Sequence, residues 1–146
     1  MVMCYVFFAI FVYTINAYTI MRNLDELSYR VIGCAMEVHN VLGAGLLESV
    51  YEQALIHELT TNGIQVKNQV DIDVYYKGKI ITNGLRLDLL VEDSLIVELK
   101  SVEELKPIHH KQLQTYLRVM DKRVGLLINF NTVNLRDGIK RIVNKY

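Results

Sequence analysis

The stretch Arg86-Leu87-Asp88-Leu89-Leu90-Val91-Glu92-Asp93-Ser94-Leu95-Ile96-Val97-Glu98-Leu99-Lys100 decides how this chain is read. Its ends are rich in Leu, Ile and Val, and the polar Glu92-Asp93-Ser94 between them suits a turn, so two short strands are predicted, Arg86–Val91 and Leu95–Ser101. Asp88, Glu98 and Lys100 interrupt the apolar pattern. Strand side chains alternate faces, so Glu98 and Lys100 share one face while Val97 and Leu99 take the other. Ionised groups in a sheet are expensive to bury unless they are paired or hold a metal. A three-residue turn pairs Val91 with Leu95 and sets Asp88 opposite Glu98, whereas a two-residue turn throws Asp88 to the far face. The three-residue version is predicted. Two carboxylates then converge beside an ammonium, a setting for a hard divalent cation with oxygen ligands. The competing reading is a surface Asp, Glu and Lys forming a weak cross-strand pair, and spacing alone leaves both open.

With 146 residues, 51% hydrophobic and 22% charged, the chain reads as one ordered domain around one core. Its formal net charge of zero hides an asymmetry: residues 1–99 carry 6 Lys/Arg against 12 Asp/Glu, and residues 100–146 carry 10 against 4. A basic C-terminal third can guide an anionic partner such as nucleic acid, with an ordinary solvated surface as the equal alternative. Cys4 and Cys34 make neither a zinc motif nor a disulfide framework, so reduced thiols in a cytoplasmic protein are expected.

Residues 1–20 carry no charge, a length and composition that suit a transmembrane helix. They lack the positive n-region and the clear cleavage site of a secretory signal. The third reading takes Met21 as the true start and the apolar leader as an upstream extension. This one is preferred, because residues 21–146 look like a complete soluble domain. The protein is then cytoplasmic, and membrane-anchored if the leader is genuine.

Beyond the leader, Asn23 with Glu26 fits a capped helix start, and Leu27, Val31, Ala35, Val38 and Leu42 recur at helical spacing over about Leu24–Asn40. His39 reads as a packed, hydrogen-bonded core histidine in preference to a ligand. Gly43-Ala44-Gly45 breaks this helix, and a second runs from Leu46 to about Asn62, ended by Gly63. Glu48 lies at the edge of its apolar stripe, either as a first-turn acid favoured by the helix dipole or projecting toward the sheet carboxylates. Gln65–Tyr76 and Ile80–Leu90 form the next strands, with a bend or bulge at Asn83-Gly84. Pro107 opens a helix over Ile108–Met120 that carries His109, Gln112, Tyr116 and Met120 on one face. Gln112 and Tyr116 either act together beside a cleft or form the polar edge of a core stripe. Val124–Phe130 is a strand buried on both faces, and Ile139–Asn144 reads as a closing strand or a short helix, with the strand preferred.

These residues carry a family resemblance. Gly45-x-x-Glu48-x-x-Tyr51 resembles the motif that names the GxxExxY proteins. Glu37-Val38-His39, Arg86-x-Asp88-Leu89-Leu90-Val91, Glu98-x-Lys100 and Pro107-Ile108-His109 before Gln112 agree with it, over about Leu24–Val143. Members of that family typically begin near the position of Met21. The family looks like a branch of the PD-(D/E)XK nuclease superfamily. The implied fold is α/β with a mixed sheet, a restriction-endonuclease-like α-β-β-β-α-β core behind an extra N-terminal helix. On this resemblance Asp88 matches the acid of the second core strand, Glu98-x-Lys100 the (D/E)-x-K of the third, and Glu48 the acid of the first core helix. Gln112-x-x-x-Tyr116 is similar to the signature of the exonuclease-like and RecB-like branch. The chain departs from the pattern in having Leu87, not Pro, before Asp88.

The resemblance implies a metal-dependent nuclease. Asp88, Glu98, the Leu99 carbonyl and Glu48 would hold Mg²⁺ or Mn²⁺, and Lys100 would orient the attacking water. Gln112 and Tyr116 would position the nucleic-acid backbone or Lys100. Lys106, Lys111, Arg118, Lys122 and Arg123 would contact phosphates, with DNA expected ahead of RNA and a homodimer allowed. The alternative is a catalytically silent nuclease-fold module that binds nucleic acid or a protein partner.

Overall fold

A computed structural model describes residues 2–144 of the chain, with side chains from Val12 onward except at position 83. Met1 and the last two residues of the expected domain, 145 and 146, lie outside the described residues. The elements run α1 (Val2–Leu42), α2 (Glu48–Thr61), β1 (Val66–Tyr76), β2 (Lys79–Val91), β3 (Leu95–Lys100), α3 (Pro107–Val119), β4 (Val124–Asn129), a 3-10 turn (Leu135–Gly138) and β5 (Ile139–Val143). This is the expected α-β-β-β-α-β order, with α1 in front and β5 behind.

The largest boundary difference from expectation is at the start of α1. No helix starts at Asn23, because α1 passes through it without a break. Residues 2–32 contain no Gly or Pro, so nothing in the backbone stops the helix between leader and domain. Among the described residues no helix is long and apolar enough to cross a membrane. Gly43, at φ +70, ends α1 with its N–H on the His39 carbonyl (2.8 Å). Gly63 ends α2 as predicted. Its N–H bonds the Thr60 carbonyl and that of Ile64 bonds Leu59, both at 3.0 Å, the paired bonds of a Schellman cap.

The five strands form one sheet in the order β1-β2-β3-β4-β5, with β3 and β4 parallel and every other neighbouring pair antiparallel. On one face α1 and α2 bury Leu24, Val31, Ala35, Val38, Tyr51, Leu55 and Leu59 against Leu89, Val91, Val97, Leu99, Leu126 and Ile128. On the other, Leu113, Tyr116 and Leu117 of α3 cover Leu90, Ile96 and Leu127. The interior strand β4 is buried along its whole length, as its unbroken apolar run predicts. α3 lies so close to it that a Cβ on Gly125 would fall 2.8 Å from a Leu113 methyl. His39 is a core residue as predicted, its Nε2 2.8 Å from the Thr132 carbonyl oxygen.

The decisive turn has the predicted parity: Val91 pairs with Leu95 across Glu92-Asp93-Ser94. Glu92 and Asp93 both adopt positive φ, and Ser94 N–H bonds the Val91 carbonyl at 3.0 Å, the pattern of a type I′ turn followed by one extra residue. The bulge expected near Gly84 is also present. Ile72 pairs with Leu85 but Val74 with Ile81, so β2 carries the surplus residues there.

A second irregularity was not foreseen. On β2, Leu89 and Val91 face α1 and α2, yet Leu85 and Leu87, of the same parity, pack in the α3 cluster. On β1, Val66 joins the first cluster and Val70 and Ile72 the second. Both strands exchange faces at one level, between the pairs Asn68↔Leu89 and Val70↔Leu87, where Gln69 stands opposite Asp88 with φ +50.

Candidate active site

The hydrogen-bonded ladder between β2 and β3 ends at Leu89↔Val97. Beyond it the Asp88 side chain takes the place of a backbone partner: its Oδ2 accepts the Leu99 N–H at 2.8 Å. A residue's N–H and C=O leave an antiparallel strand on the same edge, so the Leu99 carbonyl also points toward this gap. Glu98, the neighbour on β3, is 2% exposed. Its Oε1 accepts from Lys100 Nζ at 2.8 Å, and its Oε2 is buried with no hydrogen-bond partner.

Charge and burial compete throughout this cluster. Burial, with the nearby Asp88 and Glu48 charges, pushes the Glu98 carboxyl up to about 7 against the pull of Lys100. Burial raises Asp88 as well, opposed by its bond from Leu99, by Lys100 and by the Gln69 amide. Glu48 is raised by burial and by Asp88, and lowered by Lys100 and the Ser101 N–H. For Lys100, burial favours the neutral amine, but Glu98, Glu48 and Asp88 outweigh it and raise the ammonium's pKa. Asp88, Glu98, Lys100 and Glu48 thus lie within electrostatic reach of one another at the C-terminal end of β3.

The sequence around Glu48 explains how it arrives there. Gly45, at φ +99, turns the chain out of α1. The Tyr51 hydroxyl closes the loop by donating to the Gly43 carbonyl (2.7 Å) and accepting the Leu46 N–H (3.1 Å). The Tyr51 ring is held by stacking on Phe130, centroids 4.5 Å apart. Ser101 Oγ fastens the same loop to the end of β3 through the Leu46 carbonyl (2.6 Å). Gly45, Glu48 and Tyr51 thus act as a unit that presents Glu48, as first residue of α2, to the sheet carboxylates.

Other predicted residues take different places. Tyr116 is buried and points at the protein, not toward solvent: its hydroxyl donates to the Arg86 carbonyl at 2.9 Å and accepts from Gln112 Nε2 at 2.8 Å. The pair therefore fixes β2 two residues before Asp88 as the polar edge of the core stripe, with the Tyr116 hydroxyl within electrostatic reach of Asp88, Glu98 and Lys100. The five basic residues also separate. Lys106 and Lys111 stand exposed on the first turns of α3, at the Lys100 end of the sheet. Arg118, Lys122 and Arg123 lie where α3 ends and β4 begins, and Val124 pairs with Leu95. That is the far end, a strand length or about 17 Å from Lys100, so these three do not share the site's surface.

A divalent cation can be tested against this donor set. Among the described residues no three His, Cys, Asp or Glu side chains are gathered closely enough to hold an ion. Lys100 draws Glu98 Oε1, and Leu99 N–H draws Asp88 Oδ2. The unpartnered buried Glu98 Oε2, the Asp88 carboxylate and the Leu99 carbonyl are nevertheless hard oxygen donors of the kind Mg²⁺ takes. In donor chemistry these residues suit Mg²⁺ or Mn²⁺, for which Asp88, Glu98 and the Leu99 carbonyl would be the donors, with Glu48 nearby. Sequence reasoning missed two participants, Gln69 and Glu52. The amide of Gln69 donates to Glu52 Oε2 at 2.5 Å beside Asp88, and neither residue carries a motif.

The family model described as the PD-(D/E)XK nuclease superfamily matches residues 25–142. A solved structure, described as the crystal structure of SSO0001, is similar at 23% identity with a TM-score of 0.49; the match covers 67% of this chain and 50% of that one. No curated protein matches the chain.

Proposed function

We propose, from the premise that this chain belongs to the PD-(D/E)XK nuclease superfamily, that it is a metal-dependent nuclease hydrolysing phosphodiester bonds of nucleic acid, DNA ahead of RNA. The observation that carries the reading is the buried Glu98 carboxylate, one oxygen on Lys100 and the other without a partner, beside Asp88. A scaffold gains nothing from such a group, because an unsatisfied buried carboxylate is destabilising.

In this reading Asp88, Glu98 and the Leu99 carbonyl would hold Mg²⁺ or Mn²⁺, with Glu48 binding it directly or through water. Such an ion supplies positive charge against the phosphate and makes a water acidic near neutral pH. Lys100 is held beside Glu98 as a full positive charge, placed to orient the attacking water and to stabilise charge developing on the phosphate oxygens. Tyr116 and Gln112 keep the Asp88 strand in place from behind. Lys106 and Lys111 supply phosphate contacts on the same end of the sheet.

A silent binding module is the second reading, favoured by the closed Lys100–Glu98 pair and the lack of a gathered ligand trio among the described residues. The deciding experiment incubates the full chain with single- and double-stranded DNA and RNA and Mg²⁺ or Mn²⁺, beside Asp88→Ala and Lys100→Ala. Cleavage by the wild type that both variants lose supports the nuclease. Binding without cleavage, or cleavage equal in all three proteins, refutes it.

A further inference from the structure

Gln69 lies mid-strand in β1 yet has φ +50, a conformation disfavoured for any residue but glycine, with Asn next most tolerated. Such a conformation persists only where the surroundings over-determine it, and it clusters where it serves a site. Here two surroundings are visible. Gln69 stands opposite Asp88 at the level where β1 and β2 exchange faces. Its Nε2 donates to Glu52 Oε2 at 2.5 Å, and Glu52 lies one helical turn beyond Glu48 on α2. An amide NH₂ carries two hydrogens. One serves Glu52, and the same amide favours the charged form of Asp88.

We propose that Gln69 is a positioning residue of the site: pinned by Glu52, its amide holds Asp88 toward Leu99 and Glu98 and so sets the affinity for the divalent cation. This rests on the metal-dependent reading of the site. It also accounts for the face exchange. A regular β1 would point residue 69 along the ordinary alternation, and the left-handed kink is what swings its amide between α2 and Asp88.

The test uses the full chain with Gln69→Gly and Gln69→Asn, Mn²⁺ alone as the probe, calorimetric titration for affinity and metal-free melting for stability. Glycine accepts φ +50 without strain, so Gln69→Gly is expected to melt at or above the wild-type temperature while Mn²⁺ affinity falls about tenfold, as for other residues that orient a metal ligand. Gln69→Asn, whose amide is too short to span both carboxylates, is expected to show the same loss; it decides the matter if the glycine variant does not fold. Affinity equal to wild type in the variants overturns the positioning role alone. An affinity loss matched by a lower melting temperature also overturns it, since that marks a purely structural residue. Absence of Mn²⁺ binding by the wild type overturns the metal-dependent reading and this proposal with it.

Discussion

Replacing Glu98 with Gln should remove a pH dependence of stability whose size is set by the site. The carboxyl is 2% exposed, and its pKa rises from 4.5 to about 7 in the fold. Because the folded value lies above the unfolded one, the folded state holds the proton more tightly. Glu98's contribution is therefore fully present below pH 4.5 and is lost as pH rises through 7. At about 1.4 kcal/mol per pKa unit, the loss is about 3 kcal/mol. In a chain of this size that is roughly 10 °C in Tm. Asp88 and Glu48, also raised, add the same sign to both proteins. Glu98→Gln also strips Lys100 of its hydrogen-bonded partner, so the absolute offset between the proteins mixes two effects and the slope is what counts. Metal-free wild type and Glu98→Gln would be melted between pH 4.5 and 8. The wild type should lose stability across that range by about 3 kcal/mol more than the variant. Parallel pH profiles would refute the reasoning, because Glu98 would then be no costlier to ionise in the fold than in the unfolded chain.

Mn²⁺ at a fixed concentration about one hundred times its Kd at pH 8 should stabilise the protein by about 2.7 kcal/mol there and by less at pH 5, since Glu98 must be ionised to bind; equal shifts in melting at the two pH values would count against Glu98 as a ligand. Tyr116→Phe removes the donor to the Arg86 carbonyl and should cost about 1–2 kcal/mol in chemical denaturation. Because Tyr116 is buried, kcat should fall while KM for nucleic acid stays unchanged, and a raised KM would restore it to the substrate face. Gly138→Ala places a Cβ 2.4 Å from the Asn129 carbonyl oxygen and should cost about 3 kcal/mol; melting at the wild-type temperature would show that the turn relaxes freely.

The hairpin was legible because its information is local. Two apolar runs, a polar connection of fixed parity and charges at set offsets are enough to pair Val91 with Leu95 and to bring Asp88 to the level of Glu98. Glycines at the ends of α1 and α2, the proline opening α3 and the unbroken apolar run of β4 are likewise local signals. Glu48 was half legible: its helix could be read, but whether it faced the carboxylates depended on how Tyr51 and Ser101 fold its loop against the end of β3.

By itself, then, the sequence determined the order of helices and strands from α2 onward, and which charges meet on the central hairpin. Tertiary structure decided the rest. Alternation cannot reveal that Gln69 breaks β1, because no residue type at that position announces a positive φ. Helical periodicity puts Gln112 and Tyr116 on one face, but only packing against β2 turns that face inward to the Arg86 carbonyl. Charge counting groups Lys106 and Lys111 with Arg118, Lys122 and Arg123, yet the parallel crossover from β3 through α3 to β4 carries the last three to the opposite end of the sheet. Each of these outcomes depends on contacts between segments distant in sequence, and such contacts exist only once the chain has closed around its core.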